Sequence, residues 1–236
     1  VELVSRWMAK NAAFDEDRIR RLLMGCWPLN PVVALMLGPV SKRKFSQNER
    51  SIYSFLSAIE PYGFADFLAN PDAGDVYSLA QYWDYLQANF EAAILSSLDS
   101  HRWITAVDAV GRAESLNDPA LLDLAKCVAV IDLFRVGSRL QASAEILAAA
   151  VGVNDVQVAT MLQKLVSRRV LVERRHVQAW AIYAGSDFDI EAAIKEAATQ
   201  IKSLDIEALS SLVNLDPIVA RSHYFNSGTM RWFNRR

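Results

Sequence analysis

The chain has 236 residues, is 52% hydrophobic and 22% charged, and carries a formal net charge of −2. That apolar share is enough to bury cores in one large or two smaller domains and excludes a disordered tail. A pI of 6.0 excludes a broadly cationic coat for nucleic acid, and nine Gly with seven Pro exclude a fibrous chain and leave little for a strand-and-turn architecture.

Along the chain the dominant period is helical. Asp15 to Cys26 sets Ile19, Leu22, Leu23 and Cys26 on one face, with Arg18, Arg20 and Arg21 opposite. Asn30-Pro31 reads as an N-cap and first-turn proline, opening a helix through Val32, Leu35, Met36 and Leu37 that Gly38-Pro39 ends or bends. Ser46-Gln47-Asn48-Glu49 is a capping box for a helix bearing Ile52, Tyr53, Phe55, Leu56 and Ile59, stopped by Glu60-Pro61-Tyr62-Gly63. A loop from Asn70 to Asp75 leads into an aromatic helix with Leu79, Tyr82, Trp83, Leu86, Phe90 and Ile94, and Trp103 to Glu114 is helical again.

From Asn117 the pattern changes. Asp118 as N-cap and Pro119 at N1 open a very apolar helix through Leu121, Leu124, Val128, Ile131 and Phe134. Ser143 to Val151 is a short helix closed by Gly152, and Asn154 or Asp155 caps another that ends near Arg168. Val170–Arg174 and Gln178–Tyr183 are β-rich and tightly joined at Arg175-His176-Val177. Helix, short helix, turn, helix, hairpin is the winged-helix order. Beyond it, Ile190–Ile201 and Ile206–Val213 read as helices, and His223–Phe233 as partly extended with a turn at Gly228.

Motifs for chemistry are missing. There is no phosphate-cradling glycine loop, no G-x-S-x-G elbow and no metal-ligand spacing among His101, His176 and His223. Val128-Ala129-Val130-Ile131-Asp132 imitates a strand carrying an Mg²⁺-positioning acid, but it lies inside a helical period and reads as buried helix. Cys26 and Cys127 offer one disulfide at most, which points to a reducing, cytoplasmic compartment. The apolar run Trp27–Val40 is broken by Pro and Gly and falls short of the roughly 20 residues a membrane span needs. The opening on Val1 without a signal sequence suggests a piece of a longer protein.

Charge is uneven. Residues 1–118 hold 11 Lys+Arg against 15 Asp+Glu, and residues 119–236 hold 14 against 12. The positive charge gathers on the third helix of the winged-helix segment and its hairpin. Gln157, Thr160, Lys164 and Arg168 share a helical face, and Arg169, Arg174 and Arg175 follow, an arrangement suited to base edges and phosphates. Asp155 in the first turn opposes a phosphate there, so DNA and a partner protein stand as alternative ligands of that face. Lys42-Arg43-Lys44 ahead of Arg50 forms a second basic site, where an external anion or a neighbouring acid such as Glu49 answers the charge. Trp7, Tyr62 and Trp232 are candidate contact aromatics of a structural interaction module, with a second copy of the chain as one partner.

The run Trp27-Pro28-Leu29-Asn30-Pro31, the segment Phe45 to Leu56 and the stretch Gly185-Ser186-Asp187-Phe188-Asp189-Ile190 resemble large bacterial P-loop ATP-binding proteins of the AAA+/STAND type. The resemblance covers roughly residues 15–236. It implies a mainly α fold with a lid-like helical domain over residues 1–115, a winged helix over 116–188, and C-terminal helices with a short extended segment over 189–236. It further implies an upstream nucleotide-binding core as partner, which holds ATP and Mg²⁺ while this chain holds no cofactor. Arg50, or else Arg43, would match the lid arginine that senses the γ-phosphate. The resulting expectation is a non-catalytic ATPase fragment relaying nucleotide state to protein or DNA. A winged-helix DNA-binding regulator and a protein-interaction module are the alternatives.

Overall fold

The structure is a computed structural model and describes residues 1–12, 15–43, 51–70, 74–138, 140–185 and 218–233. The capping box at Ser46–Glu49, Arg50, and the expected helices Ile190–Ile201 and Ile206–Val213 lie outside the described residues. The chain divides into two compact units, residues 1–185 and 186–236. The fold is mainly α-helical, with two antiparallel sheets of two strands each among the described residues.

The first unit opens with α1 (Glu2–Ala12), for which the sequence raised no expectation, and α2 (Glu16–Met24). Asp15 caps α2 by accepting from the Asp17 amide, and the helix ends before Cys26, which lies in the following turn. In α3 (Pro31–Ser41), Asn30 caps the first turn by accepting from the Val32 amide. Gly38-Pro39 does not end this helix. The proline removes one backbone donor, but Val32, Val33, Met36 and Val40 keep the helix seated in the core on both sides of it. The short helices α4 (Ser51–Ser57) and α5 (Phe64–Ala69) follow, α4 stopping before Ile59.

Helix α6 (Leu79–Leu95) starts from a capping box in which Ser78 accepts from the Gln81 amide and Gln81 accepts from the Ser78 amide. Helices α7 (Ser100–Glu114) and α8 (Pro119–Ser138) pack on it. Leu124, Ala125 and Val128–Ile131 are buried around most of the circumference of α8, which α3, α6, α7, α9 (Ala144–Val151) and α10 (Asp155–Ser167) surround. The turn Val128–Ile131 is buried all round, so the Val128–Asp132 run is helix within the core and not a strand.

Two aromatic groups lock the helices. Trp83 of α6 and Trp103 of α7 are fully buried and stacked with centroids 4.8 Å apart. Phe55 of α4 lies 5.0–5.4 Å from Tyr77, Tyr82 and Tyr85, edge-on to each. Such pairs add about 1 kcal/mol each beyond the area they bury.

Strands β1 (Leu171–Arg174) and β2 (Ala179–Ile182) form the expected hairpin, joined by a 3₁₀ turn over Arg175–Val177. The segment before α9 joins the outer edge of β2, since the Trp180 amide donates to the Ala142 carbonyl at 3.0 Å. In the second unit, β3 (Ile218–Val219) pairs with β4 (Trp232–Phe233) across α11 (Arg221–Ser227). His223–Ser227 is thus helical rather than extended. Gly228 (φ 68°) ends that helix in the left-handed conformation, its amide donating to the Tyr224 carbonyl.

Candidate functional site

The sequence placed its candidate residues on α10, the hairpin and the segment after α3. On α10, Val158, Leu162 and Leu165 are buried, leaving Gln157, Thr160, Lys164 and Arg168 exposed along one face. Asn154 starts this helix through a second capping box. It accepts from the Gln157 amide at 2.9 Å while the Gln157 side chain accepts from the Asn154 amide at 3.4 Å. Gln157 is therefore occupied with its own helix end. Thr160 Oγ1 likewise donates to the Val156 carbonyl at 3.0 Å. Arg168 is the C-cap residue, and Arg169 is exposed with a left-handed backbone (φ 55°).

The hairpin arginines separate. Arg175 is exposed and faces Glu173 at 3.7 Å, whereas Arg174 turns inward, Nη1 lying 3.3 Å from Asp132 Oδ1 on α8. Of the nucleotide-sensing pair, only Arg43 is described. Its Nη1 donates to Asp99 Oδ2 at 3.1 Å. Tyr62 and Trp232 are exposed, and Trp7 packs against the core.

The inward turn of Arg174 exposes a feature the sequence reading missed. Between the C-terminal part of α8, residues 140–142 and the hairpin lies a cleft of about 290 Å³. Ile131, Leu140, Val177 and Trp180 form its apolar walls, and Asp132, Arg135, Gln141, Arg174 and His176 its polar groups. Asp132 Oδ1 is shared by Arg174 at 3.3 Å and Arg135 Nε at 3.9 Å. The Asp132 backbone carbonyl accepts from Arg102 Nη2 at 2.6 Å, and Arg102 also faces Asp99 at 3.6 Å. Four guanidiniums, from Arg43, Arg102, Arg135 and Arg174, thus share two carboxylates along one seam.

A signal for this cluster was present. An acid placed directly after an apolar run such as Val128–Ile131 needs a cation, because an unpaired buried charge is costly. Asp132 has Arg135 one turn on, at i+3, and the remaining partner comes from the hairpin. Among the described residues no group of three or more His, Cys, Asp or Glu side chains is placed to hold a metal ion. No single described helix is long and apolar enough to cross a membrane. Burial pushes the Cys127 thiol well above its ordinary range, so this sulfur sits in the core of α8 as a small hydrophobe.

Comparison with known proteins changes the reading. No curated protein and no solved structure gives a significant match. Residues 80–145 match the family described as the C-terminal domain of the antibacterial effector protein Tle3. The match spans nearly all of α6, then α7, α8 and the first two residues of α9, which together carry part of the core. It overturns the likeness to an AAA+/STAND lid, and with it the ATPase-fragment function, the upstream nucleotide-binding core as partner, and ATP- and DNA-binding as descriptions. The geometry gives the physical reason for Arg43: its guanidinium already has an internal carboxylate, so the basic segment needs no phosphate from outside at that position. The tryptophans, prolines and capping patterns behind the resemblance are features of helix packing and helix starts, which unrelated helical proteins share. The chain is similar, over residues 80–145, to a domain of an antibacterial effector.

Proposed function

We propose that the chain is a helical protein-interaction region serving an antibacterial effector, with no reaction of its own. The observation that carries this reading is the match over residues 80–145 to the effector's C-terminal domain. The matched segment includes buried core residues such as Trp83, Trp103, Leu124 and Val128–Ile131, so the likeness reaches part of what specifies the fold.

In this reading residues 116–188 act as a winged helix turned to protein contact, and residues 1–115 form the helical scaffold that holds it. The succession α8, α9, α10 and hairpin supports the first part, as does the bond from β2 to the 140–142 segment, which extends the wing on its outer edge. The contact face is the exposed side of α10 with Lys164 and Arg168, whose charge suits an acidic surface on the partner.

The test is a competition between bacteria. A strain carrying the gene and one from which it has been deleted are each mixed with susceptible target cells, and target survival is counted. Survival should rise when the gene is deleted, and expression of the chain alone should leave growth unchanged. Equal killing by both strains contradicts the effector role, and arrest of growth by the isolated chain contradicts the absence of a reaction.

A further inference from the structure

We propose that the cleft between α8 and the hairpin is a binding site for a carboxylate carried on an apolar body, such as the free C-terminus of a peptide or a small organic acid. The inference goes beyond the effector reading and rests on the cleft alone. Its volume of about 290 Å³ lies just below the usual range for ligand sites, which favours a small group.

The charge favours an anion. Within the cleft Asp132 faces two guanidiniums, and Arg135 stands off at 3.9 Å, beyond a direct hydrogen bond. Farther along the seam Arg102 spends its second amine on a backbone carbonyl, which takes a bond without cancelling charge, and shares Asp99 with Arg43. The seam therefore holds more positive than negative charge, and Arg135, about half exposed, is the cation with the least internal compensation.

The shape selects among anions. Gln141 adds a side-chain amide donor at the rim, and Ile131, Leu140 and Trp180 offer apolar wall. A guanidinium fork matches the two oxygens of a carboxylate, and the apolar wall covers what that carboxylate is attached to. Inorganic anions fill only the charged half of such a cleft. In the ligand-free state the Asp132 carboxylate takes the place of the ligand's, so Asp132 is an internal competitor.

That competition yields a prediction of opposite signs. Binding to the whole chain is measured by calorimetry with three probes: N-acetyl-Ala-Ala-Leu with a free carboxylate, the same peptide as its C-terminal amide, and hexanoate. The free acid should bind saturably and the amide should not. Arg135→Gln and Arg174→Gln should each weaken the acid about tenfold, the loss of one charge-assisted bond. Asp132→Asn should tighten it, because the amide still accepts from Arg174 but no longer competes as an anion.

Tighter binding of the peptide acid assigns the site to protein termini, and tighter binding of hexanoate assigns it to small acids. Equal binding of acid and amide, no binding of either carboxylate at millimolar concentration, or weaker or unchanged binding in Asp132→Asn overturns the proposal. Arg174→Gln removes a link between the hairpin and α8, so Arg135→Gln, at a half-exposed position with only a 3.9 Å contact to Asp132, provides the reading with the smaller effect on folding.

Discussion

Asn30 joins two helix ends that lie far apart in the chain, and replacing it measures how much that junction contributes. Its Oδ1 accepts from the Val32 amide at 2.9 Å and caps α3, while its Nδ2 donates to the carbonyls of Ala149 and Ala150 at 3.0 and 3.2 Å, near the end of α9. Loss of an N-cap costs about 1 kcal/mol. Each of the two carbonyls loses a buried donor, at about 1 kcal/mol apiece. Asn30→Ala should therefore destabilise the first unit by about 3 kcal/mol.

Asn30→Asp separates the two roles. The cap acceptor survives, but both donors vanish and a carboxylate faces two carbonyl oxygens at the negative end of the α9 dipole. It should thus remain well below the wild type at neutral pH. Urea unfolding followed by far-UV circular dichroism reads both variants, with the midpoint compared at constant slope. Wild-type stability in Asn30→Asp would refute the reasoning, since it would mean that only the cap matters and the link to α9 does not exist.

Other expectations follow from the same packing. Phe55→Ala empties the centre of the ring formed by Tyr77, Tyr82 and Tyr85 and should cost about 3–5 kcal/mol, read by the same unfolding experiment; a loss below 1 kcal/mol contradicts the packing. Burial pushes the phenols of Tyr77, Tyr82 and Tyr85 far above their ordinary value, and for Tyr85 the Glu60 carboxylate adds to the effect. The unfolded phenols ionise near pH ~10 while the native ones stay protonated. This contribution is therefore complete below that pH and lost as pH rises above it, so absorbance at alkaline pH should show these tyrosines ionising only with unfolding. Of the two cysteines, half-buried Cys26 should react with a thiol reagent in the native chain and Cys127 only on unfolding, a difference that a timed thiol assay reads directly.

Local rules made much of the fold legible. Asn30, Asn154 and the Gly152 and Gly228 stops announce their helix ends, because a cap is satisfied within a few residues of itself. The hairpin was legible from its β-branched and apolar pattern. The six-residue helix α5 escaped because so short a helix depends on tertiary packing, here the rings of Phe64 and Phe67 against Tyr77. The capping box at Ser78 was available in Ser78-Leu79-Ala80-Gln81 and was missed.

The site was far less legible. Arg174 looks like a phosphate-facing residue in sequence because Asp132, its partner, lies 42 positions earlier. Arg43 and Asp99, 56 positions apart, mislead in the same way. Periodicity reports which residues share a face, but not which distant charge will neutralise them. The second role of Asn30 was hidden for the same reason, since its donors reach across 119 and 120 positions.

The proposed function has the chain contribute protein contact, through the exposed face of α10, to the action of an antibacterial effector. Its most direct test restores the deleted gene with Lys164→Glu and Arg168→Glu together and counts surviving target cells. Both side chains are exposed, so the helix should persist in circular dichroism. The doubly reversed chain should be folded yet leave target cells as numerous as the deletion does. Full killing by that folded variant would contradict it.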